Sequence, residues 1–198
     1  MGLRSIDEEG TILTDEEKEE LKIKVINTRE ELNQLEQNNI EWAYDWLLRK
    51  KISQDNLLSV KFINDLHRHM LGDVWLWAGK YRKSNKNIGV DKSQIGLEIA
   101  KLLDDCRYWI KNQTFAPDEI AIRFSHRLVW IHPFPNGNGR LSRLMADLIL
   151  EKIFFRPRFF WSFSRANLKN EWRKKYHQAL VKADNYDFQD LLEFAQNE

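Results

Sequence analysis

The sequence predicts a mainly α-helical domain, in which about six to eight helices surround one central buried helix and a small β-hairpin lies at one side. Apolar residues recur at helical spacing in several segments of the chain. Residues 138–153 are apolar on nearly every side, whereas residues 81–90 are short, polar and centred on a turn-forming asparagine. The 198 residues, 42% of them hydrophobic, are enough for one domain with its own core.

The N-terminal 27 residues are expected to form an extended arm. They carry two acidic clusters and few apolar residues, a composition that does not bury a core. The domain itself is then residues 28–198. Its first helix, within residues 28–50, has a capping-box sequence in Thr28 and Glu31. Its apolar stripe consists of Leu32, Leu35, Ile40 and Ala43.

Further helices are predicted on both sides of the hairpin. Residues 58–71 carry Phe62, Leu66 and Met70 on one face, and Gly72 ends the helix. After the hairpin, the same spacing predicts helices over about 99–110, 117–131, 138–153, 166–183 and 187–196. The helix over 138–153 is apolar nearly all round, so we expect it at the centre of the bundle.

The segment 81–90 is predicted to be a β-hairpin that turns at Asn85. An exposed strand edge can bind an extended segment of another protein by strand addition. The alternative is a surface excursion without a role. The residues that would dock a target are Arg82, Lys83, Ser84, Lys86, Asn87 and Ile88.

Composition excludes several classes of function. The 31 basic and 30 acidic residues leave a formal net charge of +1, which is not the basic surface of a nucleic-acid binder. No apolar run is long enough for a membrane span, and the acidic N-terminus is unlike a signal peptide. The single cysteine excludes an internal disulfide. We therefore expect a cytoplasmic protein with neither nucleic-acid nor membrane partners.

The most informative segment is residues 132–143, His-Pro-Phe-Pro-Asn-Gly-Asn-Gly-Arg-Leu-Ser-Arg. A glycine-rich turn at a helix N-terminus directs free N–H groups and the positive end of the helix dipole at one point, which suits a phosphate. Arg140 and Arg143 lie on one helical face and can bind further phosphate oxygens. His132 is a titratable base beside that site. Gly-Asn-Gly alone would favour an ordinary turn between two helices. The joint occurrence of His, Phe, Asn, two Gly and two Arg in one short run instead predicts phosphoryl or nucleotidyl transfer.

This segment resembles the signature of the Fic/Doc family, H-x-F-x-(D/E)-G-N-G-R-x-x-R, at every position except the acidic one, which is Asn136 here. Trp77–Arg82 is similar to the sequence before the family's flap hairpin, and Trp172–Asp187 to its late helix. The resemblance covers most of residues 55–195 and is closest to the mobile mystery protein B subfamily. It implies a Fic-like helical bundle with a flap at 81–90.

The resemblance also implies an activity, the transfer of AMP from ATP to a Ser, Thr or Tyr hydroxyl of a target protein. His132 would be the catalytic base. The α-phosphate would lie over Gly137, Asn138 and Gly139, and Arg140 and Arg143 would hold the β- and γ-phosphates. The family's acidic residue helps to hold Mg²⁺, so Asn136 implies weaker binding of this ion.

Two alternatives remain at this point. A Doc-like kinase would bind ATP in reverse and transfer the γ-phosphate, although the two motif glycines leave room for the α-phosphate and favour AMP transfer. A nucleotide-binding interaction protein with weakened catalysis is the second alternative, because Asn136 replaces the acidic residue.

Glu36 is a candidate inhibitory residue. Many Fic proteins carry a helix with the pattern S/T-x-x-x-E-G/N, whose glutamate pairs with the second motif arginine and blocks the γ-phosphate. Here Leu32 and Gln37 depart from that pattern and Glu36 keeps it. The resemblance implies a Glu36–Arg143 pair; the alternatives are a solvated charge at Glu36 and a separate inhibitor or antitoxin protein.

Overall fold

The computed structural model describes residues 13–161 and 169–197, and this part of the chain is mainly helical, as predicted. Within it, no helix is long and apolar enough to cross a lipid bilayer. A short 3₁₀ turn, Lys92–Gln94, precedes the fifth helix. The helices are α1 Asp15–Glu20, α2 Arg29–Leu48, α3 Gln54–Leu57, α4 Val60–Leu71, α5 Ile95–Asn112, α6 Pro117–Ile131, α7 Asn138–Lys152, α8 Lys169–Ala183 and α9 Gln189–Gln196.

Helix α7 is the central helix of the bundle. It packs most extensively against α6 and also contacts α3 and α4. Its apolar side chains are almost completely removed from solvent: Leu141, Leu144, Met145, Leu148 and Ile149 are each at most 2% exposed. The expected buried helix is confirmed, and its first turn is held on a packed core.

Helix α2 begins at the predicted capping box. The Thr28 hydroxyl accepts a hydrogen bond from the Glu31 N–H at 3.3 Å, and the Glu31 carboxylate accepts one from the Thr28 N–H at 3.1 Å. The helix packs against α4. Its buried face includes two polar residues, Glu36 and Asn39, beside Leu32 and Ile40. Glu36 therefore lies towards the interior of the bundle.

The prediction of an extended N-terminal arm is wrong for residues 13–27, while residues 1–12 lie outside the described part of the chain. Residues 15–20 form α1, and Leu13, Leu21 and Ile26 are at most 3% exposed. Leu21 forms an isolated antiparallel β-bridge with Trp75. These three buried leucine and isoleucine side chains attach the segment to the bundle. They are too few, and too far apart in the sequence, for the composition of the segment to predict that it is packed.

The prediction of a β-hairpin at 81–90 is also wrong, since the described backbone forms an irregular loop there. The two ends of the loop do not pair with each other. The Arg82 N–H donates to the Pro133 carbonyl at 2.9 Å, and the Val90 N–H donates to the Ile131 carbonyl at 3.3 Å. The backbone N–H groups near both ends of the loop therefore form hydrogen bonds with the residues on either side of His132. We call residues 81–90 the flap loop.

Candidate active site

His132 follows the last residue of α6 and has a left-handed backbone, with φ 53° and ψ 57°. Its Nδ1 lies 3.3 Å from the Val129 carbonyl oxygen, which can only accept a hydrogen bond. Nδ1 is therefore the protonated ring nitrogen, and Nε2 carries the lone pair. Burial lowers the pKa of His132, and the positive charges of Arg82 and Lys86 lower it further. The neutral imidazole at pH 7 is suited to accept a proton.

The loop after His132 is fixed by Asn138. Its side-chain Oδ1 accepts from the Phe134 N–H at 2.9 Å, and its Nδ2 donates to the Phe134 carbonyl at 2.8 Å. Asn138 is 3% exposed and Phe134 is fully buried. The Asn138 side-chain amide therefore shapes the loop, and its backbone N–H remains for an anion.

Gly137 and Gly139 differ in what they contribute. Gly137 caps α7 with φ 78°, and a Cβ there would lie 2.6 Å from Leu71 Cδ1, so this position requires glycine for packing. At Gly139 an added Cβ would meet only the Arg143 guanidinium, at 3.6 Å. The surface above Gly139 is open. The first N–H groups of α7 have no partners within the helix, as at any helix N-terminus, and point out of its first turn.

His67 packs against the loop that follows His132. The sequence did not indicate this role. The ring is fully buried and stacks on Phe134, with centroids 3.8 Å apart. Its Nε2 donates to the Asn136 carbonyl at 3.0 Å, and its Nδ1 accepts from the Gly79 N–H at 2.9 Å. Burial lowers the pKa of His67 to about 4. With both ring nitrogens engaged, a neutral His67 ties α4 to the motif.

Asn136 is exposed, and its Oδ1 accepts from the Gly137 N–H at 2.7 Å. Mg²⁺ favours several oxygen ligands, among them carboxylates. In the part of the chain that the structure describes, no group of three or more His, Cys, Asp or Glu residues comes together. Asn136 offers one amide oxygen that is already hydrogen-bonded. The residues present do not fit a Mg²⁺ site built by the protein.

Arg140 is held by Glu36. The Arg140 Nη2 lies 2.7 Å from Glu36 Oε2, and the Trp75 Nε1 donates to the other carboxylate oxygen at 2.7 Å. Glu36 is 5% exposed, so it is not a solvated charge on a helix face. The expected partner was Arg143, and this is corrected to Arg140, the first motif arginine. Glu36 thus contacts α7 three residues, about one helical turn, before the expected position.

Arg143 contacts aromatic rings instead of a carboxylate. Its guanidinium carbon lies 5.0 Å from the Trp172 ring centre and 5.1 Å from that of Tyr176, both on α8. The two motif arginines therefore have different partners among the described residues: Arg140 is bound by the Glu36 carboxylate, whereas Arg143 lies against two neutral aromatic rings.

The flap loop separates into one buried residue and an exposed surface. Arg82, expected to dock a target, is only 4% exposed. Its guanidinium is turned inward and donates to backbone carbonyls, so the docking assignment of Arg82 is corrected. Docking by the rest of the loop stays a prediction; these exposed residues are Lys83, Ser84, Lys86, Asn87 and Ile88.

Comparisons with known proteins agree with this geometry. Residues 57–150 match the model of the Fic/DOC family. This segment, just under half of the chain, is therefore similar to a Fic/DOC domain. It is 26% identical over 159 residues to a protein adenylyltransferase Fic from Aedes aegypti, covering 78% of this chain and 30% of that protein. The chain thus spans less than a third of the curated relative's length.

Solved structures show the same fold. Fic-1 from C. elegans (aa134–508, E274G) superimposes with a TM-score of 0.64 at 25% identity, over 83% of this chain and 48% of that chain. The N-terminal FIC domain of Bep8 from Bartonella sp. 1-1C gives a TM-score of 0.69 at 15% identity, over 90% of both chains.

The matched segment of the Fic/DOC domain contains α4 to α7, and with them His67, the flap loop and the motif. It does not contain α2 or α8. Glu36 and the rings that hold Arg143 are therefore supplied by elements that lie outside the matched residues. In this chain, helices that flank the matched segment contact the two motif arginines.

Proposed function

We propose that this chain is a Fic-type protein adenylyltransferase, which transfers AMP from ATP to a Ser, Thr or Tyr hydroxyl of a target protein. The observation that carries the proposal is the position of His132, whose Nδ1 lies against the Val129 carbonyl oxygen and so leaves Nε2 to accept a proton, in the loop that leads into the first turn of α7. A base and an anion site that adjoin one another are what this transfer requires. The names of the curated relatives support the same activity.

The reaction follows from these groups. The α-phosphate lies against the backbone of residues 137–139, where the N–H groups of Asn138 and Gly139 stabilise the charge that develops on its oxygens. His132 Nε2 accepts the proton of the target hydroxyl as its oxygen forms a bond to the α-phosphorus. The bond between the α-phosphorus and the bridging oxygen breaks, and pyrophosphate leaves. Arg143 holds the departing phosphates from the start, and Arg140 joins it once released from Glu36.

The Glu36–Arg140 pair restrains this activity. A buried carboxylate with both oxygens hydrogen-bonded is a strong partner for a guanidinium. ATP must displace Glu36 before its outer phosphates can use Arg140. The restraint is part of the chain itself, so the proposal does not depend on a separate inhibitor or antitoxin protein.

The proposal has three finer parts. Mg²⁺ accompanies ATP, whose phosphates and waters supply its ligands, since the chain adds at most the Asn136 amide oxygen. The protein acts in the cytoplasm, in keeping with its single, buried cysteine. Within the family, the sequence is most similar to the mobile mystery protein B group.

The test is to incubate the chain and a cell lysate with ATP labelled at either the α- or the γ-phosphate. Label from the α-phosphate alone, with AMP on a hydroxyl by mass spectrometry, supports the proposal. Label from the γ-phosphate alone means a kinase, and no label with either ATP, for the parent and Glu36→Gln alike, contradicts enzymatic transfer.

Within that assay, His132→Ala should lower transfer on the order of 10²–10⁴-fold while ATP binding persists, because the base acts on the hydroxyl and not on the nucleotide. His177→Ala is the matched control, since this histidine lies exposed on α8. If His132→Ala transfers AMP as fast as the parent, His132 is not the base.

A further inference from the structure

Arg82 is a buried arginine whose charge is met by neutral oxygens. Its Nε donates to the His132 carbonyl at 2.7 Å, its Nη1 to the Ser84 carbonyl at 3.0 Å, and its Nη2 to the Val90 carbonyl. Nη1 also lies 3.5 Å from Asn85 Oδ1. Among the residues that the structure describes, no carboxylate forms an ion pair with it. A guanidinium buried in this way stabilises a specific backbone arrangement.

The three carbonyls that accept from Arg82 belong to two parts of the molecule, the motif and the flap loop. His132 is the proposed base, whereas Ser84 and Val90 lie towards the two ends of the flap loop. The loop also contacts His132 directly: a Cβ at Gly89, where φ is +95°, would lie 2.6 Å from His132 Cβ and 3.0 Å from Arg82 Nη2. The Arg82 side chain therefore joins the flap loop to the backbone of His132. At Gly89 there is no space for a side chain between the loop and these two residues.

We propose that Arg82 is a positioning residue that holds the flap loop and His132 as one unit, so that a target hydroxyl presented by the loop meets His132 Nε2. This inference rests on the proposed adenylyl transfer. A target segment bound along the loop and a base tied to the same loop keep their relative positions, even when the loop as a whole shifts.

Arginine suits this position better than lysine. The planar guanidinium has donors fixed in several directions, so it can serve three carbonyls at once, whereas an ammonium is a compact charge on a flexible stem. The positive charge has a second effect. Arg82 and Lys86 both disfavour a charged imidazole at His132 and add to the effect of burial, while the Val129 carbonyl opposes them. The same side chain thus fixes the position of the base and favours its neutral form.

The test compares Arg82→Lys with Arg82→Gln. Arg107→Gln is the matched control, because Arg107 also donates to a backbone carbonyl, that of Leu58, and lies away from the motif. Because small displacements of reacting groups are costly, both Arg82 variants should lose on the order of 10- to 100-fold in kcat/KM for the target. The dissociation constant for ATP should stay as in the parent, and Arg107→Gln should keep parental transfer.

Two measurements without catalysis separate this inference from the proposed function. The Val90 amide proton should exchange faster in both Arg82 variants. The pKa of His132, followed by NMR of its ring, should rise in Arg82→Gln and stay as in the parent in Arg82→Lys, which keeps the charge. A parent that transfers no AMP, together with these two changes, refutes the activity and leaves the tie between Arg82 and His132 in place.

Gly89→Ala approaches the same contact from the loop and keeps Arg82, so it applies even if Arg82→Gln does not fold. It should also lower transfer to the target and leave ATP binding unchanged. The inference is overturned if the folded Arg82→Lys and Gly89→Ala proteins transfer AMP at the parental rate. It is equally overturned if Val90 exchange and His132 titration are the same in the parent and every variant.

Discussion

Removing the carboxylate of Glu36 should activate the protein. Glu36→Gln keeps the volume of the side chain and an oxygen for the Trp75 indole, but it removes the charge that binds Arg140. A hydrogen bond to a charged group contributes about 1.5–3 kcal/mol. ATP has to compete against this bond in the parent. At roughly 1.4 kcal/mol for each factor of ten, the variant should bind ATP about 10- to 100-fold more tightly.

The assay is calorimetric titration with a non-hydrolysable ATP analogue, together with AMP transfer at subsaturating ATP. Glu41→Gln is the control, because Glu41 is an exposed carboxylate on the same helix. Glu36→Gly is less informative, since glycine also lowers helix stability by about 1 kcal/mol and leaves the indole N–H without its acceptor. If Glu36→Gln folds, yet binds ATP and transfers AMP as the parent does, Glu36 is only a structural support for Trp75.

Two further predictions concern the motif loop. Asn136→Asp should bind Mg²⁺ more tightly in the presence of ATP, because a carboxylate oxygen is a better ligand for this ion than an amide oxygen. The measurement is a magnesium titration of activity, with Asn136→Ala as control. Equal magnesium affinity in all three proteins would place residue 136 away from the ion. Burial lowers the pKa of His67 in the folded protein to about 4, below that of a free imidazole. Between about pH 4 and 6.5 the unfolded chain therefore binds more protons than the folded protein. The free energy of unfolding should fall by up to ~3 kcal/mol as the pH is lowered through that range. Asp147, whose pKa burial raises to about 7, has the opposite dependence. The quantity to measure is therefore the difference in unfolding free energy between the parent and His67→Phe, with His177→Phe, at an exposed position, as control. A pH-independent difference would show that His67 does not bind as the neutral ring.

Helix positions were predictable from sequence where the signal is local. Thr28 and Glu31 lie within one turn, and Pro117 is the first residue of α6, as its fixed φ favours. The apolar periodicity of residues 138–153 was sufficient to identify the central helix, because a helix buried on nearly every side requires apolar residues on nearly every side.

Contacts between distant residues were not predictable in the same way. Glu36 and Arg140 are 104 positions apart, and His67 and Asn136 are 69 positions apart. The motif pattern indicated both arginines, but which of them contacts Glu36 depends on how α2 lies against α7. The hairpin prediction was wrong because the N–H groups of Arg82 and Val90 donate to carbonyls on either side of His132 and not across the loop. A local sequence pattern does not show a partner so far along the chain.

The β-bridge between Leu21 and Trp75 has a consequence for shortened forms of this protein. Trp75 is flanked by backbone bonds to residues 20–22 and donates its indole proton to Glu36. A protease that removes residues 13–27 would take away those backbone bonds and loosen Glu36 without touching the motif. Proteolysis near the N-terminus should therefore raise activity, and a fragment limited to residues 57–150 would contain both arginines with no carboxylate from α2 to oppose ATP.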